Sequence, residues 1–130
     1  MGYIELQNEL IKKYRIKIDT NSTCWRRTHV HPKQRRISKW NQMDSVRSTF
    51  TLLHEIGHCE NNNSKMRRCE QEYYATQWAL DKCRELGINV PDNIIKKYQS
   101  YIDMELARGL RRGGSNYPTK EEMTLVKEVA

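Results

Sequence analysis

The 130-residue sequence contains no apolar run long enough to cross a bilayer. Its first residues, Met1 to Leu6, lack the basic flank and the apolar stretch of a signal peptide. Leu6 also stands where a myristoylation signal has a hydroxyl residue. With no internal repeat, the chain has the length of one ordinary domain that can bury a core. We therefore expect a cytoplasmic protein without a membrane partner.

The sequence also lacks any C-x-x-C pair, which excludes a Cys-rich zinc ribbon. An even number of cysteines can indicate disulfides, and there are four here: Cys24, Cys59, Cys69 and Cys83. Because no secretion signal is present, we expect them to be reduced thiols.

Basic residues outnumber acidic ones, with 23 lysines and arginines against 16 aspartates and glutamates, a net charge of +7. They cluster at Arg26–Arg27, Lys33–Lys39, Arg67–Arg68 and Arg108–Arg112. Such a surface favours an acidic partner, including nucleic acid, but it also serves as a solvated face that specifies no partner.

The hydrophobic pattern predicts an α+β fold, mainly helical with a small N-terminal β-sheet. Helices are expected over residues 3–14, 44–60 and 66–86, and from Pro91 to about Arg108. Two or three short strands are expected between residues 16 and 40, at Ile16–Ile18, Thr23–Val30 and Arg35–Trp40. We assign one folded domain to residues 1–110. Residues 111–130 are assigned to a flexible linker and a short helix that begins at a capping box, Thr119 to Glu122.

The second helix carries the pattern H-E-x-x-H, from His54 to His58. Residues four positions apart project from the same side of a helix, so His54 and His58 can bind one zinc ion. Glu55 lies one step round the helix, where it can act as the general base without being a ligand. Gly57 leaves room for close packing behind the metal. An ordinary buried helix with two histidines is the alternative, but the apolar residues around the pattern favour a metal site.

A third ligand is expected from the next helix, which offers Glu70 and Glu72. These differ by about 200° around a helix, so only one can face inward. Glu72 falls in the middle of the apolar arc and Glu70 on the polar side. Since a lone buried carboxylate is costly unless it is paired or binds a metal, Glu72 is the predicted ligand. The alternative is that Glu72 forms a buried salt bridge with an arginine such as Arg47.

These two helices together resemble the ImmA/IrrE family of zinc metallopeptidases. His54–His58, preceded by Phe50–Leu53, is similar to the family's R-x-T-x-x-H-E-x-G-H helix, and Glu72–Ala79 is similar to its glutamate helix. The resemblance covers about residues 1–86. It implies a minimal gluzincin-like core in which the small sheet packs on both helices, with Zn²⁺ held by His54, His58 and Glu72, and Glu55 as base. It also implies a protein substrate, which in some members is a DNA-binding regulator.

Several other functions stay open at this point. A SprT-like protease acting on DNA-bound proteins would use the basic surface for docking. A zinc-stabilised binding or antirepressor module would need no base at Glu55, and a basic nucleic-acid binder would need no zinc. Side chains that could also line the cleft or stabilise the oxyanion are His29, His31, Tyr73 and Tyr74.

Overall fold

The described part of the chain forms four helices and one three-stranded sheet, which confirms the predicted α+β class. The structure, a computed structural model, describes residues 2–19, 28–63 and 65–127. In chain order the elements are α1 (Tyr3–Lys13), β1 (Lys17–Asp19), β2 (His29–His31), a 3-10 turn (Pro32–Gln34), β3 (Arg36–Ser38), α2 (Val46–Glu60), α3 (Arg68–Glu85) and α4 (Asp92–Arg111).

The sheet has the strand order β1-β3-β2, with β3 parallel to β1 and antiparallel to β2. Ile18, Ile37 and Val30 stand side by side across it, and Ile37 is completely buried. Their side chains join the hydrophobic core, and β2 with the 3-10 turn lies against α2. Residues 23–27 of the strand predicted at Thr23–Val30 lie outside the described part of the chain.

Helix α2 runs through the centre of the core. Phe50, Leu52, Leu53 and Ile56 are all 0% exposed, although they point to different sides of the helix. The helix starts where predicted, because the hydroxyl of Ser45 accepts a hydrogen bond from the backbone N–H of Ser48. A helix buried over most of its surface holds its side chains in fixed directions, which a precise ligand site needs.

The side chain of Gln7 fastens α1 to the start of α2. It is completely buried, and its Nε2 donates to the carbonyl oxygen of Met43 at 2.8 Å and to the hydroxyl of Thr49 at 2.9 Å. Buried hydrogen bonds of this kind make the observed arrangement of the two helices more stable than alternative arrangements, in which these polar groups would be buried without partners.

Helices α3 and α4 are joined by a short turn. Gly87 follows α3 with a φ of +73°, the left-handed conformation that glycine adopts without strain. Pro91 caps α4, which then continues to Arg111, three residues beyond the expected end.

The short C-terminal helix predicted from Thr119 is not formed in the described residues, so this prediction was wrong. The capping box itself is present: the N–H of Thr119 donates to Glu122, and the N–H of Glu122 donates to the Thr119 hydroxyl. After this first turn, however, two glutamine side chains form hydrogen bonds with the backbone of residues 123–126. Gln99 pairs with Met123 and Leu125, while Gln77 pairs with Val126. These hydrogen bonds replace those of a continuing helix and place the Met123 and Leu125 side chains in the core.

Candidate metal centre

Helices α2 and α3 bring three metal-ligand side chains to one point. The ligand atoms of His54, His58 and Glu72 all lie within 4.8 Å of one another. The Nε2 atoms of His54 and His58 are 3.1 Å and 3.3 Å from the same oxygen of Glu72, Oε2. The structure thus gathers the three predicted ligands. Glu70 stays apart, since its carboxylate accepts a hydrogen bond from the backbone N–H of Arg67 at the helix start.

Thr76 determines which nitrogen of His54 carries the proton. Its hydroxyl donates to the backbone carbonyl of Glu72 at 2.7 Å, and the same hydroxyl oxygen lies 3.0 Å from Nδ1 of His54. A hydroxyl has one hydrogen to donate, so it accepts from Nδ1–H. The lone pair of neutral His54 is then on Nε2, the atom that faces Glu72 and His58.

The centre therefore concentrates electron-pair donors with little neutralising charge between them. Burial lowers the pKa of His54, which disfavours an imidazolium ion there. Burial also works against the Glu72 carboxylate, and the hydrogen bonds and charges that outweigh it and lower the pKa of Glu72 come from the protonated forms of His54 and His58. Neutral histidines do not supply them. A cation bound between these atoms would remove the repulsion between the Nε2 lone pair of His54 and the Glu72 carboxylate.

The spacing of the ligand atoms suits a metal ion. Two ligands of a tetrahedral ion at about 2.0–2.1 Å lie about 3.3 Å from each other. The observed separations of 3.1 Å and 3.3 Å from Glu72 to the two histidines agree with this value. The buried group of His54, His58 and Glu72 could therefore hold a metal ion.

The second oxygen of Glu72 pairs with an arginine that the sequence did not single out. Nη2 of Arg68 lies 2.9 Å from Oε1 of Glu72. The predicted arginine alternative was Arg47, but Arg68 takes this place because it precedes Glu72 by one helical turn. Since Arg68 uses only Oε1, the other oxygen remains turned toward the histidines. Arg68 thus orients a ligand from outside the centre.

Glu55 lies beside the three ligands without belonging to their group. Its Oε1 is 4.0 Å from Nε2 of His54, and the side chain is buried. Burial, and then the charge of Glu72, raise the pKa of Glu55 to about 8. A carboxyl with a pKa in this range is suited to accepting and returning a proton near neutral pH.

Tyr98 on α4 is the neighbour of the centre that the sequence analysis missed. Its ring centroid is 4.8 Å from that of His54 and 5.0 Å from that of Phe50. Burial raises the pKa of Tyr98 to about 12, so the hydroxyl stays protonated. Tyr98 closes one side of His54 and limits its rotation.

The other candidates lie outside the ligand group. Tyr74 is exposed, and its ring contacts that of Tyr73. His29 and His31 stand on the edge strand β2, with ring centroids 5.3 Å apart.

The three cysteine thiols that the structure describes also take no part in the ligand group. Cys59, Cys69 and Cys83 are free and buried, and burial raises the pKa of Cys59 to about 11. Cys24 lies outside the described residues.

Gly57 allows α2 and α3 to approach closely enough to share the centre. A Cβ built on Gly57 would lie 2.5 Å from the carbonyl oxygen and 3.0 Å from the Cα of Ala75. Both atoms belong to the backbone of α3, so neither can rotate away. The close packing expected at Gly57 is therefore confirmed.

We expect Gly57→Ala to push α2 and α3 apart and to weaken metal binding. Overpacking of this kind costs about 1–3 kcal/mol, of which better helix propensity returns up to about 1 kcal/mol. Thermal melting and zinc titration measure the two effects. Gly109→Ala is the matched control, because the three atoms nearest to its Cβ all belong to the side chain of Tyr117, which can rotate away, and not to a backbone. A Gly57→Ala protein with wild-type zinc affinity would show that the close approach is not required.

Comparisons of the chain with protein-family models, curated proteins and solved structures found no match. No helix within residues 2–19, 28–63 and 65–127 combines the length and apolar character needed to span a bilayer.

Proposed function

We propose that the protein is a zinc-dependent metallopeptidase that hydrolyses peptide bonds of a protein substrate in the cytoplasm. We also propose that it belongs to the ImmA/IrrE type of metallopeptidase, because its H-E-x-x-H helix and its glutamate helix resemble those of that family. The observation that carries it is the position of Glu55, a buried carboxyl next to a His-His-Glu group but outside it. A purely structural zinc site needs no such group.

Zinc bound by His54, His58 and Glu72 would supply positive charge that favours ionised Glu55 and Lewis acidity that polarises a peptide carbonyl. Glu55 then accepts a proton from the attacking water and gives it to the leaving amine. Thr76 keeps the Nε2 lone pair of His54 directed at the centre. In this mechanism α2 supplies the base and two of the ligands, and the neighbouring helix α3 supplies the third ligand.

A protease acting on DNA-bound proteins is the second candidate, favoured by the net charge of +7. It keeps the same centre and adds a docking surface for nucleic acid. Binding to duplex DNA that falls steeply as salt rises would support this candidate. A substrate that is cleaved equally well without DNA would favour the first.

The activity is tested by incubating zinc-loaded protein with cell extracts and identifying new protein termini by mass spectrometry. We expect a defined set of new termini that disappears when a chelator removes zinc and returns when zinc is restored. The zinc content of the purified protein should be one ion per chain by elemental analysis. Binding of zinc and of a partner without any new terminus would instead support a non-catalytic module.

A further inference from the structure

A second polar site lies where α3 begins and α4 ends. The cavity there has a volume of about 90 Å³, and four arginines line it: Arg67 and Arg68 where α3 begins, and Arg108 and Arg112 where α4 ends. Glu105 and Tyr117 complete much of the wall. No role in the metal centre accounts for this concentration of guanidinium groups.

The carboxylates around the cavity do not neutralise all four arginines. Arg67 pairs with Glu70 at 3.3 Å, Arg68 with Glu72 at 2.9 Å, and Arg108 with Glu105 at 3.0 Å. Among the residues that the structure describes, no acidic side chain forms an ion pair with Arg112. Four arginines against three glutamates leave a net charge of +1.

The cavity and the metal centre share Arg68. This side chain lines the cavity, and its Nη2 also contacts Glu72, whose other oxygen faces His54 and His58. A divalent ion in the centre would add two positive charges to the same local network. An anion held by the arginines would therefore lie next to the metal centre and would be attracted more strongly when metal is present.

We propose that this arginine cavity binds a carboxylate of the peptide substrate, from an acidic side chain or from a free C-terminus. The proposal rests on the proposed peptidase function. Guanidinium groups present paired N–H donors that match the two oxygens of a carboxylate. A nucleic-acid strand is the less suitable ligand, since binding a phosphate backbone uses a row of contacts along a groove. Here the arginines surround a single small cavity.

The test measures binding alone, with zinc-loaded Glu55→Gln protein and calorimetry of short N-acetylated peptides. One pair of peptide amides differs only by Glu or Gln in the centre. A second pair differs only by a free or amidated C-terminus. We expect the acidic member of one pair to bind at least about 5-fold more tightly than its neutral partner. The pair that shows the difference identifies the source of the carboxylate.

Arg112→Gln should abolish this preference, and Arg111→Gln is the matched control. Both arginines are exposed at the end of α4, but only Arg112 lines the cavity. Melting curves should show that both variants fold, because neither residue is buried. The preference should also decrease as salt rises and when zinc is removed.

Three results would overturn the proposal. They are equal binding of acidic and neutral peptides, an unchanged preference in Arg112→Gln, and Arg112-dependent binding of a single-stranded oligonucleotide without any peptide preference. The last would assign the cavity to phosphate. Because Glu55→Gln should bind peptides without cleaving them, the binding result is separate from the peptidase proposal. Absence of cleavage by the wild-type protein would leave a measured carboxylate preference intact.

Discussion

Glu55→Gln is expected to retain the fold and the metal ion while losing about 10²–10⁴-fold in cleavage rate. Gln is nearly isosteric with Glu, and Glu55 lies outside the group formed by His54, His58 and Glu72. Its amide cannot accept the proton of the attacking water. Cleavage is measured on a substrate identified from the extract experiment, with zinc content determined on the same samples.

Glu60→Gln is the matched control for this substitution. Glu60 stands on the same helix, α2, but is exposed and pairs with Arg35 at 2.6 Å, away from the metal centre. The Glu60→Gln protein should therefore cleave the substrate at the wild-type rate. Full zinc-dependent activity of Glu55→Gln would end the assignment of Glu55 as general base, whereas loss of both metal and activity would indicate that Glu55 is needed to form the centre.

His54→Ala should lose most of its zinc affinity, by more than about 100-fold. This exceeds the about 10–100-fold that is usual for removing a group that only orients a ligand. His54 supplies one of three ligand atoms, and its removal opens the buried side of the centre. The stabilisation that zinc gives the folded state, about 2.7 kcal/mol at 100 times the dissociation constant, should disappear with it. Competition titration and melting with and without zinc measure both effects.

Thr76→Val provides a graded comparison for His54→Ala. It removes the hydroxyl that accepts from Nδ1–H of His54 but leaves every ligand in place, so zinc affinity should fall by only about 10–100-fold. His31→Ala is the negative control, because His31 is exposed on β2 and lies outside the ligand group. If His54→Ala bound zinc as tightly as His31→Ala, the proposed metal centre would be wrong.

The sequence by itself determined the elements whose signals are local. Spacing along one helix placed His54 and His58 on the same side, and helical periodicity separated Glu72 from Glu70 on the next. Both deductions use the 100° step between residues, which is the same wherever the helix packs. The α+β class followed in the same way, since short alternating runs and longer helical patterns differ in their periods.

Only the tertiary structure decided which residues from distant segments pack against the helices and side chains of the metal centre. Tyr98 reaches His54 from α4, and Gly57 matters because the backbone of Ala75 lies against it. The C-terminal segment carries a valid capping box, yet Gln77 and Gln99 bind its backbone and prevent a longer helix. A capping signal describes four consecutive residues, whereas these competing hydrogen bonds come from side chains more than twenty positions away, whose proximity exists only after the helices have packed.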